Sequence, residues 1–297
     1  MSSILPATTL AFSQSLLTSI NGGETYAQQL GTELSTGSSI LSPSDNPAGA
    51  TEALGAQAAS AQAHTWVGNA QDGLSRLGLA NQTLNQVLTE VSQLQQAVES
   101  TSTAVVSPAG TAALASQVEG IGQSILANAN TSYEGYAIFG GTSAQADAFD
   151  SAGNYQGNST VPQRSVGSGI ALAAGVTGSS VFGSGTTGLF GVISQTVSDL
   201  HSGNLNAVLG TDLGKINSFY DQISGSAAQV GSLYDEMQAA SQQASATAQT
   251  LSTEASNLTA VDLPQALTNL SLQQSTLQSA LYALSKTVPT SLLQYLP

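Results

Sequence analysis

The stretch WVGNAQDGLSRLGLANQTLNQVLTEVSQLQQAVEST, Trp66 to Thr101, carries apolar or small residues spaced alternately by four and three: Trp66, Ala70, Gly73, Leu77, Ala80, Leu84, Val87, Val91, Leu94, Val98 and Thr101, with Val105 continuing the row. A helix repeats every 3.6 residues, so this spacing collects one continuous stripe on one helical face. A strand would alternate by two. The row therefore predicts a long helix whose stripe seats against another helix of the same kind.

Such a partner exists in the same chain. A second row runs Leu209, Leu213, Ile216, Tyr220, Ile223, Ala227, Val230, Tyr234, Met237, Ser241, Ala244, Ala248, Leu251, Ala255, Leu258. Small residues dominate its later half, which predicts close helix approach. A third row, Leu263, Leu267, Leu270, Gln274, Leu277, Leu281, Leu284, Val288, Ser291, Tyr295, starts behind Asp262-Leu263-Pro264-Gln265. That tetrapeptide resembles a capping box with Pro in the first turn. Near the N-terminus, Leu10, Leu17, Ile20, Ala27 and Leu34 share one row and Phe12, Leu16, Tyr26 and Leu30 a neighbouring one, a helical pattern weakened by Gly22 and Gly23. A shorter helix, Leu114, Val118, Ile121, Ile125, follows the breaker Ser107-Pro108-Ala109-Gly110 and predicts an arm antiparallel to the first.

Residues 135–186 break this pattern. They are rich in glycine, with short candidate strands around Tyr155, Val161 to Val166 and Ile170 to Val176 between turn signals. Helical spacing resumes at Leu189, Ile193, Val197 and Leu200. The expected fold is mainly α, an elongated rod of long coiled-coil-like helices with paired N- and C-terminal helices and a small inserted β domain. A helix over 206–258 would be about 80 Å long at 1.5 Å per residue, against a radius of gyration of roughly 19 Å for a compact chain of this size. The expected division is 1–45 plus 262–297 as a terminal paired-helix domain, 46–134 plus 187–261 as a helical rod domain, and 135–186 as the β-rich part.

Composition narrows the function. Charged residues make up 7% of the chain, against about 25% in an average globular protein. Arg76, Arg164, Lys215 and Lys286 are its basic residues, and the formal net charge is -14. Without a basic cluster there is nothing to meet the phosphates of nucleic acid or of an anionic membrane. No apolar run approaches the roughly 18 residues of a membrane span, and the N-terminal residues lack the positive region of a cleaved secretory signal. With no cysteine there is no thiol nucleophile and no disulfide framework.

Catalytic, metal and cofactor sites are not expected. His64 and His201 stand apart, with no HExxH motif and no carboxylate cluster beside either. Asp235 and Glu236 are adjacent on a helix and point in different directions, so they suit a solvated face better than acid–base work. The glycines of Ile138-Phe139-Gly140-Gly141-Thr142 and of the 183–188 stretch do not continue into a phosphate-loop pattern, and tight turns account for them.

The densest turn signal is LSTGSSILSPSDNPAGA, Leu34 to Ala50. Asn46 is placed to cap a following helix with Pro47 at its first position, because the residue before a proline prefers the extended backbone of an N-cap. Ser44, Asp45, Asn46 and Pro47 are the predicted hinge. A Leu-Ser-Thr-Gly segment, then Ser-Asp-Asn-Pro-Ala-Gly, then a long helix resembles the N-terminal region of bacterial flagellins and flagellar junction proteins. Tyr136 to Thr142, YAIFGGT, is similar to that family's entry into its outer domain, and the ending DLPQALTNLSLQQSTLQSALYALSKTVPTSLLQYL resembles the junction proteins more than the flagellins. Ser38 and Ser39 stand where the family usually carries a basic pair, and Asn46 replaces an Asp.

The resemblance implies a non-enzymatic structural subunit of the flagellum, joining hook to filament and assembling through its terminal helices into a layer on which flagellin polymerises. The alternative is a filament subunit. The implied assembly residues are Leu10, Leu17, Ile20, Leu30 and Leu34 with Leu267, Leu270, Leu277, Leu281 and Leu284. The implied partners are copies of the chain, the first hook–filament junction protein, flagellin and an export chaperone on the C-terminal helix. The implied location is extracellular, reached through the flagellar type III apparatus.

Overall fold

The computed structural model describes residues 5–102 and 107–287, and within them the side chains of residues 5–10, 13, 286 and 287 are outside the description. Val105, Val288, Ser291 and Tyr295 of the predicted rows also lie outside the described residues. The helices are α1 (Leu5–Thr36), α2 (Pro47–Glu99), α3 (Pro108–Ala129), α4 (Gly178–Phe182), α5 (Leu189–Ser202), α6 (Leu205–Ala207), α7 (Leu213–Thr259) and α8 (Leu263–Thr287). Two antiparallel hairpins complete the fold, β1 (Ser132–Tyr133) with β2 (Tyr136–Ala137), and β3 (Gln163–Gly167) with β4 (Ile170–Ala173). The mainly α expectation is met, with long helices and two small sheets. The chain folds as two compact units, residues 1–60 with 249–297, and residues 61–248.

The 61–248 unit is organised by the α2 stripe. From Ala70 to Val98 every residue of the predicted row is buried, Leu77, Leu84, Val87, Val91, Leu94 and Val98 completely. Trp66, at the head of the row, is half-exposed. The α7 row answers it: Ile216, Ile223, Val230, Met237 and Ala244 are buried while Tyr220 and Tyr234 are half-buried. A Cβ on Gly73 would stand 2.7 Å from Met237 Cε and one on Gly78 3.7 Å from Tyr234, while Gln95 Nε2 donates to Asn217 Oδ1 at 2.8 Å. Higher numbers on α2 thus face lower numbers on α7, so the two helices are antiparallel. Gly73 is small because Met237 fills its place in the seam, a knob in a hole.

α3 begins where Ser107 caps it, its side chain accepting from Gly110 N, and Pro108 occupies the first turn. It doubles back on α2 as predicted. Glu90 on α2 is buried, yet its carboxylate accepts from Ser124 Oγ at 2.7 Å, from Asn128 Nδ2 at 2.9 and 3.0 Å, and from Gln86 Nε2 at 3.3 Å. These neutral donors satisfy the charge and fix the register of the two arms. α5 packs on α3 closely enough that a Cβ on Gly122 would meet Ile193 Cγ2 at 2.8 Å.

The glycine-rich segment folds onto the same core rather than around a long sheet. β3 and β4 match the two later predicted strands, while Tyr155 forms an isolated bridge with Phe149. Phe139, Phe149, Phe182 and Phe190 pack edge-to-face or tilted, with centroids 5.1 to 6.0 Å apart. Two of the four basic residues hold this segment to α2. Buried Arg76 donates from Nη2 to the carbonyls of Ile138 (2.8 Å) and Ala137 (3.3 Å), and Arg164 pairs with Asp72. Burial first, and then the Arg164 charge, lower the Arg76 pKa, yet an arginine stays charged through the working range. Gly141, at φ +69°, turns the IFGGT segment so tightly that a Cβ would lie 2.5 Å from the Asn158 carbonyl, which confirms a tight turn there.

Because Leu84 has no exposed surface in the centre of the α2 seam, Leu84→Ala is expected to cost about 2–5 kcal/mol. A chemical-denaturation midpoint unchanged from the parent chain would count against that packing.

Candidate assembly interface

The residues predicted for assembly lie in the other unit, on α1 and α8. α1 runs unbroken through Gly22 and Gly23, contrary to the weakness their helix propensity implied. The reason at Gly23 is tertiary. A Cβ there would stand 2.5 Å from Gln273 Nε2 and 2.8 Å from Leu277 Cδ2, so α8 approaches α1 at a position without a side chain, whereas Gly22 and Gly31 have open space beside them. Gly37 faces Val261 at one end and Gly23 faces Leu277 further along, so the pair is antiparallel.

The pair is closed at its base by backbone bonds. Ser38 and Ala260 form an antiparallel bridge, Ser39 N donates to Thr259 O at 2.7 Å, and Val261 N donates to Gly37 O at 3.1 Å. Ser39 Oγ adds a bond to the same Thr259 carbonyl at 3.1 Å, and Ser38 Oγ donates to Ile40 O. The two serines that replace the expected basic pair thus tie backbone with short hydroxyls. Gly37, at φ +71°, ends α1 in the left-handed conformation that terminates helices. α1 therefore reaches Thr36, two residues past Leu34, where the turn-rich stretch begins.

The linker ends in the predicted cap. Asp45 Oδ2 accepts from Leu41 N (3.1 Å) and Ser42 N (2.7 Å), coiling the turn on itself. Asn46 Oδ1 accepts from Gly49 N at 3.0 Å, and α2 opens with Pro47. Gly49 was not singled out from the sequence, yet a Cβ on it would meet the Asn46 side chain at 2.6 Å and Ile40 Cδ1 at 3.1 Å. Its spacing three residues after the cap was the available signal. Ser44, Asp45, Asn46 and Pro47 are all exposed. At α8, Asp262 Oδ1 accepts from Gln265 N at 3.1 Å, the Asp half of the predicted capping box.

The residues predicted for assembly differ in burial. Ile20 and Leu30 are buried in the helix pair, and Leu34, Leu270, Leu277 and Leu284 are half-buried. Leu17 (47%), Leu267 (57%) and Leu281 (49%) are exposed, together with Phe12 (56%) and Leu272 (66%), which belong to neighbouring stripes. Leu10 lies on α1, its side chain outside the described residues. An antiparallel helix pair that covers one stripe and leaves others open can bury more apolar surface only against further protein. Among the described residues no three His, Asp or Glu side chains gather to hold a metal ion, and no helix is long and apolar enough to cross a membrane.

Residues 8–144 match the bacterial flagellin N-terminal helical region, and residues 213–296 match the C-terminal helical region. The chain belongs to the bacterial flagellin family. The matched regions of this flagellin-family chain include α1, α2, α7 and α8, the elements that build the linker, the paired helices and the α2–α7 seam. The flagellar hook-associated protein 3 of Salmonella typhimurium is 28% identical over 173 residues, 58% of this chain and 55% of that protein. The protein of the same name in Escherichia coli is 26% identical over 170 residues, 57% of this chain and 54% of that protein. The alignments thus span about half the length of these curated relatives. In fold the chain is similar to the crystal structure of Bacillus cereus FlgL, with a TM-score of 0.59 at 21% identity over 68% of this chain and 99% of that one.

Two substitutions check the geometry. Asn46→Ala is expected to cost about 1 kcal/mol and to raise amide exchange in the first turn of α2, while exchange unchanged at residues 48–50 would argue against the cap. Gly23→Val is expected to force α8 away from α1 and to speed exchange along both helices; equal protection in the variant would count against their close approach.

Proposed function

We propose that this flagellin-family chain is a structural subunit joining hook to filament, assembling through its terminal helices into a layer on which flagellin polymerises. The observation that carries this reading is the helix pair α1–α8, which leaves Phe12, Leu17, Leu267, Leu272 and Leu281 open in the single chain. Fully burying a side chain of this kind is worth roughly 1.5–3 kcal/mol, and the half to two thirds of each that is still exposed is what a neighbouring subunit would cover. The names of the two curated relatives favour the junction over the filament.

In this reading residues 1–45 and 262–297 form the assembly domain, 46–134 with 187–261 the supporting helical domain, and 135–186 the outward β-rich part. The exposed turn at Ser44 to Pro47 is the hinge between the first two. Leu10, Leu17, Ile20, Leu30, Leu34, Leu267, Leu270, Leu277, Leu281 and Leu284 form the seam, the buried members holding the pair and the exposed ones meeting neighbours. The partners are further copies, the first junction protein, flagellin and an export chaperone that covers the C-terminal helix before assembly. The subunit acts outside the cell, on the flagellum, without catalysis.

Deletion of the gene tests the role. Cells without a filament that shed flagellin into the medium are the expected result, whereas cells that keep a filament and lose one of several subunits would make the chain a filament protein. Leu281→Asp tests the seam: the purified chain should keep its helical content and melting behaviour while losing incorporation at the junction. Normal incorporation of the variant would remove the exposed seam from the account.

A further inference from the structure

Residues 149–156 form a turn whose two ends are fixed and whose tip hangs on one carboxylate. Phe149 N donates to Asn130 Oδ1 at 2.8 Å and the Phe149 carbonyl accepts from Asn130 Nδ2 at 2.9 Å, which ties the first end to the C-cap of α3. Tyr155 Oη lies 2.9 Å from the Phe139 carbonyl and 2.8 Å from that of Asn158, which holds the second. Between them, Asp150 Oδ1 accepts from Ala152 N (2.9 Å), Asn154 N (2.8 Å) and Asn154 Nδ2 (3.3 Å). Its Oδ2 accepts from Asn154 Nδ2 (2.9 Å) and Gln156 Nε2 (3.2 Å).

The tip covers apolar surface. Gly153, at φ +80°, lies so close to α5 that a Cβ on it would overlap Phe190 Cβ and stand 2.9 Å from Phe190 Cγ. Phe190 packs in the aromatic cluster, and with Leu126, Ile193 and Val197 it lines a cleft of about 250 Å³ between α3 and α5 that Ala152 and Gly153 wall on one side. Hydrogen bonds to an ionised carboxylate are roughly twice as strong as neutral ones. A proton on either Asp150 oxygen removes that charge and puts an O–H where only N–H donors point. Two backbone bonds, Gly153 N to Asp150 O at 2.9 Å and Asp150 N to Asn154 O at 3.0 Å, do not depend on it, so the turn loosens rather than unravels.

We propose that Asp150 is a proton-released strap: its carboxylate holds the 151–154 tip down on Phe190 and closes one side of the α3–α5 cleft, and protonation lets the tip lift. The electrostatics agree with this geometry. Asn154, through its side chain and then its backbone amide, holds the Asp150 pKa below the ordinary aspartate range, with Ala152 N and Gln156 adding to this and desolvation opposing it. The titratable groups around the turn are Glu119 on the cleft, Asp199, Asp212 and Lys215 beyond the tip, His201 in the last turn of α5, exposed Asp147 and the Tyr155 phenol. All five bonds to the carboxylate come instead from neutral amides. A carboxyl whose folded pKa lies below its unfolded value stabilises the fold above the unfolded pKa, and that contribution is lost as pH falls through the folded one. The strap is therefore closed at neutral and mildly acid pH and releases in stronger acid. With four Lys and Arg and two His in the chain, protonated carboxylates leave little positive charge to drive the rest of the unit apart, so the release is local and independent of the assembly role.

Carbon-13 NMR of the aspartate carboxyls in the full chain, titrated from neutral pH into acid, tests it, with Asp150→Asn identifying the resonance by its loss. The Asp150 carboxyl should titrate below the ordinary aspartate range. As pH falls through that window, amide exchange at Ala152, Gly153 and Asn154, corrected for its intrinsic pH dependence, should speed up by at most about tenfold per pH unit. Phe149 and Gln156, whose amides are held by Asn130 Oδ1 and the Ala148 carbonyl, should keep their protection. Asp150→Asn keeps one acceptor oxygen but turns an amide towards Asn154 Nδ2 and Gln156 Nε2; its tip amides should exchange several-fold faster at neutral pH and lose the acid response. An Asp150 carboxyl that titrates in the ordinary range overturns the strap. So does tip exchange that ignores the titration, which would leave the backbone bonds and the Gly153 packing to hold the turn, or exchange that rises equally across the 61–248 unit, which would be global acid unfolding.

Discussion

The 61–248 unit depends on removing one stripe of α2 from water. Apolar burial is proportional to area and has no direction of its own, so it falls to side-chain shape to convert it into a defined arrangement. Here that conversion happens at a few positions. Met237 fills the space that Gly73 leaves, Glu90 locks the α3 register through neutral donors, and Ile193 closes on Gly122. The glycine-rich segment then needs few strands of its own, because Arg76 and the Phe139–Phe149–Phe182–Phe190 cluster bind it to a core that already exists.

The 1–60 and 249–297 unit uses the same repeat with a different outcome. Its helices meet at Gly23 and are joined at their base by the Ser38–Ala260 bridge, yet several leucines stay open to water. Two helices alone bury one face each, and residues on neighbouring stripes have nothing within the pair to cover them. Incomplete burial is what a subunit requires if its partners are to complete the core, since the uncovered area is the reserve of binding free energy. A linker held by short turns, the Asp45 coil and the Asn46 cap, keeps the chain's path defined between α1 and α2 without burying much surface itself.

The long helices were legible because heptad spacing is a one-dimensional signal, and the Asn46 cap because capping is local, spanning three residues. Gly23 read as a helix weakness, since propensity describes an isolated helix and says nothing of a neighbour that needs the space. Trp66 read as a core residue because it sits in the row, yet it is half-exposed at the row's head. The pairing of Ser39 with Thr259 was invisible, as the two residues are 220 positions apart and carry no distinctive chemistry. Asp212 gave no sign either: nothing near it in the sequence marks a carboxyl that the fold buries to 2% exposure.

By itself the sequence determined that this protein is helical, where its longest helices run, where α2 begins, and which flagellar family it resembles. These follow from periodicity and local hydrogen bonding, which depend on residues a few positions apart. Only the tertiary structure decided which leucines of one repeat are covered and which are open, why the glycines at 23, 49 and 73 are needed, and which side chains meet the buried Glu90 carboxylate. Those outcomes depend on what packs across a gap of a few ångströms between segments far apart in the chain, and no spacing along the sequence encodes that distance.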